Sequence, residues 1–141
     1  MAWGTITRLE LVLFAFLLLV MAWGTTRILA DVGSSSALRN QKRFEDIRSL
    51  ENALVLYAFE HEGQYPEGIG ETAKPVCQEV ASSCEGMLDL RPLVPRYLEH
   101  IPADPFASGI HETFYTIHRD GKRIIIAAPY AEGGEVIRVE R

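Results

Sequence analysis

From Leu11 to Trp23 the chain reads LVLFAFLLLVMAW, 13 residues without a polar side chain, and Gly24, Thr25 and Thr26 carry the uncharged stretch to 16 residues before Arg27. A 16-residue helix covers about 24 Å of a hydrocarbon core roughly 30 Å thick. Leu9 at one end and Ile28, Leu29 and Ala30 at the other lengthen it. The pattern therefore predicts a membrane helix over 9–30, preceded by a short leader, 1–8. A cleaved secretory signal fits less well. Arg8 is the only positive side chain before the block, Glu10 sits at its edge, and the exit Trp-Gly-Thr-Thr-Arg lacks an A-x-A-like site. A buried core helix also fits poorly, because such a run is apolar on every face.

After the block the period changes. Asp31-Val32-Gly33-Ser34-Ser35-Ser36 is a polar break, and Ser36 suits an N-cap. Leu38, Phe44, Ile47, Leu50, Leu54, Tyr57, Ala58 and His61 then follow, mostly in steps of three or four, which predicts one stripe of an amphipathic helix over 31–62. Arg43, Glu45, Asp46, Arg48, Glu51 and Asn52 are expected mostly on its other side. Gly63 stands where a helix-ending glycine belongs, and Pro66 blocks continuation.

Residues 63–87, rich in Gly, Glu and Ser, read as a loop. They hold both cysteines, Cys77 and Cys84. A metal site needs about four ligands, and His61 and His100 stand at no recognised spacing from the thiols, so a disulfide is the better reading. It implies an oxidising exterior, and its eight-residue loop is worth about 2.5 kcal/mol in the chain-entropy model. Leu88 to Leu98 suits one or two inward-packing helical turns. His100 to Phe106 is a proline-stiffened strap. From Glu112 the period becomes two, with a turn at Asp120-Gly121, a partner strand over Lys122 to Pro129, a second turn at Ala131 to Gly134 and a third strand over Glu135 to Glu140. The expected fold class is α+β, with the amphipathic helix covering a three-stranded antiparallel meander, and 63–141 forming a globular head.

With 141 residues and 48% hydrophobic positions, the chain suits one ordinary domain and is too apolar to be disordered. A net charge of -5 argues against nucleic-acid binding. No G-x-S-x-G, phosphate loop, H-E-x-x-H or C-x-x-C is present, and the four histidines are scattered, so neither enzymatic activity nor a metal or other cofactor is expected. Charge alone would place the head in the cytoplasm, since Arg27, Arg39, Lys42 and Arg43 follow the apolar block and only Arg8 precedes it. The cysteines argue for an extracytoplasmic head.

Three stretches resemble the type IV pilin and type II secretion pseudopilin families, the major pseudopilin class most closely. They are Ile6-Thr7-Arg8-Leu9-Glu10-Leu11 before the apolar run, the helix from Arg43 that ends in Gly63-Gln64-Tyr65-Pro66, and Leu93-Val94-Pro95-Arg96-Tyr97-Leu98 followed by Pro102-Ala103-Asp104-Pro105-Phe106. The resemblance covers most of residues 6–106. It implies a pilin-like fold, in which one long N-terminal helix with a membrane-embedded first half packs on the meander. It also implies a filament subunit whose partners are copies of itself, membrane lipid before assembly, the inner-membrane assembly machinery and a prepilin peptidase. Glu10, Leu11, Phe14 and Leu18 would carry assembly, with Glu10 meeting the amine of a neighbouring subunit. The finished filament would lie at the cell surface or in the periplasm.

Processing would fall among Gly4, Thr5 and Ile6. The family has glycine before the mature N-terminus and glutamate fifth after it. Counting back from Glu10 makes Ile6 first, preceded by Thr5, whereas cutting after Gly4 makes Glu10 sixth. An uncleaved, membrane-anchored extracytoplasmic binding module is the alternative. Residues 107–141 lack the acidic loop that resembles the calcium cage of major pseudopilins, and Asp104 and Asp120 read as turn residues.

Overall fold

The structure, a computed structural model, describes residues 10–21 and 35–141. Contacts group the chain into two units, Met1–Ala37 and Leu38–Arg141. In the first, residues 10–21 form helix α1. Among the described residues no helix is long and apolar enough to cross a membrane. The described part of α1 rises about 18 Å. The rest of the predicted 9–30 helix lies outside the described residues, as do Asp31, Val32, Gly33 and Ser34 of the predicted polar break.

Helix α2 runs from Ser35 to Glu60. It is followed by β1 (Lys74–Cys77), a 3₁₀ turn (Arg91–Leu93), β2 (Glu112–Asp120), β3 (Arg123–Ala128) and β4 (Ile137–Glu140). The four strands make one antiparallel sheet in the order β1-β2-β3-β4. The expected pilin-like fold is therefore corrected in two respects. Among the described residues helix occurs in two shorter stretches, 10–21 and Ser35–Glu60, with no long apolar-led helix, and the sheet has four strands instead of three.

The fourth strand comes from the stretch read as loop. Val76 and Cys77 are buried. Pro75, which has no N–H to give a ladder, is tolerated because β1 is an edge. The outer side of β1 is held by Leu88, whose carbonyl accepts from Cys77 N at 2.9 Å while its own N–H donates to the Pro75 carbonyl at 2.9 Å. The β1–β2 ladder is irregular. Pro75 faces Thr116 and Cys77 faces Glu112, so Val76 alone opposes residues 113–115 of β2. Phe114, at φ 67°, absorbs the surplus in a left-handed conformation that a bulky side chain seldom adopts. Its ring rests on Tyr130, with centroids 4.7 Å apart.

The predicted hairpin forms as Asp120 pairs with Arg123 across Gly121-Lys122, with Gly121 at φ 60°. Tyr115, Ile117, Ile124, Ile126, Ala128, Ile137 and Val139 make the apolar side of the sheet. Ile47, Leu50, Ala53 and Leu54 of α2 pack into that core together with Val76 of β1 and Leu88, Leu90, Leu93 and Ile101 from the segment after it. The stripe predicted for α2 is only partly right. Leu38 and Phe44 are exposed, whereas Arg43, Asp46 and Glu51, expected outside, are buried. Helix α2 ends at Glu60, and Gly63 caps it by donating to the Ala58 carbonyl at 2.7 Å with φ 83°. The expected helical turns after Leu88 shrink to the single 3₁₀ turn, because Pro92 and Pro95 leave too few amide donors for an α-helix.

Candidate functional site

The sequence nominated α1 and the cysteine loop. In α1, Leu11, Phe14 and Leu18 share one face and are 58%, 62% and 53% exposed. The same holds all round the helix, where the large apolar side chains are 53–69% exposed. Glu10 opens the described helix and, with Leu13, Phe14 and Leu17, lines a shallow apolar groove. Each such side chain gains about 1.5–3 kcal/mol on full burial, so this helix requires an apolar surrounding. Gly4, Thr5 and Ile6 lie outside the described residues.

In the head, Cys77 and Cys84 are joined, with S–S 2.03 Å. The loop they close is stitched to the segment that leads into β2. The Gln78 side-chain amide donates to the carbonyls of Gly109 (2.8 Å) and Glu112 (2.9 Å), and its backbone N–H to that of His111 (2.8 Å).

The largest polar construction was not anticipated. Arg43, fully buried, grips the equally buried Asp104 with two hydrogen bonds, Nε to Oδ2 at 2.6 Å and Nη2 to Oδ1 at 3.1 Å. Its Nη1 donates to the Asn40 amide oxygen (2.8 Å) and to Glu132 (3.0 Å). Arg39 holds Glu132 through a second fork, both bonds 2.6 Å. Asn40 donates to the Glu132 carbonyl and to the Glu135 carboxylate, and accepts from Glu132 N. The Phe106 ring lies under both guanidiniums, at 5.1 and 4.9 Å. Asp46 accepts from the Tyr115 hydroxyl at 2.8 Å and pairs with Lys42. Burial pushes the Tyr115 hydroxyl well above the usual tyrosine range, and the hydrogen bond to Asp46 adds to it.

Asp104 is a turn residue as expected, since its Oδ1 accepts from Phe106 N at 2.8 Å. It is also the anchor of the strap. The available signal was the register of Arg43, four residues before Ile47 and seven before Leu50, on the buried face. A cation at that register requires an anion from elsewhere in the chain. Attraction within a buried pair largely offsets the desolvation of its two charges, so this cluster aligns elements more than it stabilises them.

Hydrogen bonds from Arg39 and then Arg43 hold the Glu132 carboxyl down at about 2, against an ordinary 4.5. A carboxyl depressed on folding contributes fully above its unfolded value and loses that contribution as pH falls towards the folded one. Glu132→Gln is therefore expected to flatten the fall in head stability between about pH 4.5 and pH 2. Urea midpoints of both proteins across that range test this. Parallel curves would rule Glu132 out.

At the other end of α2, Tyr57 stacks on His61 at 3.8 Å and meets Tyr97 edge-on at 5.6 Å. The Tyr97 hydroxyl donates to Glu60 at 2.5 Å, and Arg96 pairs with Glu60 at 2.7 Å. The Tyr97 bond first, then Arg96, holds the Glu60 carboxyl below its usual range. An open cleft of about 320 Å³ between α2 and the strap is lined by Lys42, Glu45, Ser49, Glu99 and His100 among others. Its serine is spent on the helix, donating to the Glu45 carbonyl at 3.0 Å. Among the described residues no group of three or more His, Cys, Asp or Glu side chains could hold a metal ion.

Compared with known proteins, the chain matches no family model, and no curated protein or solved structure is significantly similar to it.

Proposed function

We propose that the protein is a structural subunit of a type IV pilus-like or type II secretion pseudopilus filament, mechanical and not catalytic in its role. The observation that carries this reading is α1, apolar on every face, with its large side chains half or more exposed and a single carboxylate, Glu10, at its start. Such a helix has two apolar surroundings available to it, lipid and the same helix of other copies. Because lipid tails are as apolar as leucine, transfer between the two is nearly neutral in hydrophobic free energy, and packing plus one charge pair can decide it. Leu11, Phe14 and Leu18 supply the packing face and Glu10 the charge, paired with the freed N-terminal amine of the adjacent subunit. The head faces the exterior, where its disulfide persists. The chain's partners are then its own copies, lipid before assembly, and an inner-membrane assembly machinery with its peptidase.

Glu10→Ala is expected to leave membrane insertion intact and to abolish filaments. Electron microscopy of sheared surface material, alongside membrane fractionation, reads both. Filaments of normal number in the variant would remove Glu10 from assembly. The residue at position 5 favours a second reading. Thr5 in place of a processing glycine suits an uncleaved membrane anchor that displays the head as a binding module. Mass spectrometry of the native N-terminus separates the two. A free amine on Thr5 or Ile6 goes with assembly, and an intact Met1 with the anchor.

A further inference from the structure

Helix α2 is attached to the head by two chemically different halves. From Ile47 onward it contributes Ile47, Leu50, Ala53 and Leu54 to the apolar core. Before Ile47 it contributes no side chain to that core, and its buried residues there are Asn40, Arg43 and Asp46. This half is held by Arg39 and Asn40 on the 132–135 turn, by Arg43 on Asp104, and by Asp46 on Tyr115. We propose that residues 38–46 form a polar latch that opens and closes on the head as one unit, while residues 47–60 and the sheet stay folded.

The two halves respond differently to separation from the head. Parting the apolar half uncovers core surface to water, which is unfavourable in proportion to the area exposed. Parting the polar half returns carboxylates and guanidiniums to water, which solvates them nearly as well as they solvate one another. The groups are also coupled. Arg43 bonds Asn40, Asp104 and Glu132 together, and Glu132 bonds Arg39 and Asn40 as well, so losing one contact weakens the next. Coupling of that kind makes opening cooperative, in contrast to the gradual fraying of an ordinary helix end. The latch lies where the chain reaches the head from its N-terminal segment. Its opening frees about nine more residues of tether without disturbing the sheet. That gives the head freedom of position, whether the chain polymerises or remains an anchor.

Amide hydrogen exchange of the full chain in non-ionic micelles, resolved by peptide mass spectrometry, tests the latch. In the native protein, amides 39–46 are expected to share one exchange rate, about tenfold or more above that of amides 50–58. Glu132→Gln and Asp104→Asn each weaken charge-assisted bonds, and each should raise the 39–46 rate by about tenfold again, with amides 39–46 still exchanging together and ahead of 50–58. Three outcomes overturn the proposal. Residues 39–58 exchange at one rate, or exchange rises gradually toward residue 39 whichever variant is used, or the variants leave the 39–46 rate unchanged. Glu132 lies in a partly exposed turn, so its variant keeps the test valid even where Asp104→Asn folds poorly.

Discussion

Leu50→Ala is expected to lower the stability of the head by about 2–5 kcal/mol, read as a fall in the urea midpoint with little change in slope. Leu50 is fully buried and sits in the core with Ile47, Leu54, Tyr115, Ile117 and Ile126. Truncation removes its transfer free energy and leaves a cavity in a region where the sheet and α2 have little room to close up. A domain of this size has about 5–15 kcal/mol in total, so the variant should lie close to unfolding at moderate urea. Phe44→Ala is the matched control. Sequence periodicity puts Phe44 and Leu50 on one stripe, but Phe44 is 51% exposed, and its truncation should change stability by no more than about 0.5 kcal/mol. Equal losses at the two positions would mean that α2 is rotated from the orientation described here.

The second large effect is expected on reducing the Cys77–Cys84 bond. The closed loop is short, so the gain from restricting the unfolded chain is about 2.5 kcal/mol. The native side adds to it. Cys77 belongs to β1, and Gln78, next to it, binds Gly109, His111 and Glu112 where the chain enters β2. Reduced protein should therefore unfold at lower urea than oxidised protein, with the difference appearing first in residues 74–88 and 99–112. Coincident transitions for the two forms would show that the bond does not brace this side of the head.

Where alternation and turn chemistry are local, they were legible. The Asp120-Gly121 hairpin, the strands beside it and the glycine cap at Gly63 form close to where the residue pattern places them, since each depends on neighbours within a few positions. The pairing of Cys77 with Cys84 was legible by elimination, there being two cysteines and no set of metal ligands around them. Strand β1 was not legible. Lys74-Pro75-Val76-Cys77 is too short to show a period, and it becomes a strand because the β2 edge and Leu88 stand on either side of it.

The polar latch was hidden for a related reason. Arg43 and Asp46 look like the solvated side of an amphipathic helix, and partners far along the chain make their burial tolerable. Asp104 lies 61 residues from Arg43 along the chain, and Tyr115 lies 69 from Asp46. The same distance misplaced Phe44, because a helix turns its most fully satisfied face inward, and satisfaction here includes the buried Arg43–Asp104 pair and the Tyr115–Asp46 hydrogen bond as well as leucines.

What the residue order determined by itself is therefore the local material: an apolar helical segment after Glu10, a second helix with a glycine end, a hairpin and a cysteine staple. Tertiary structure alone decided which side of α2 faces in, that a proline-bearing segment completes a fourth strand, and that charge holds one half of that helix while oil holds the other. The reason is range. Hydrogen bonding and turn geometry are settled within a few residues, whereas the solvation of a buried charge is settled by whichever opposite charge the fold brings beside it.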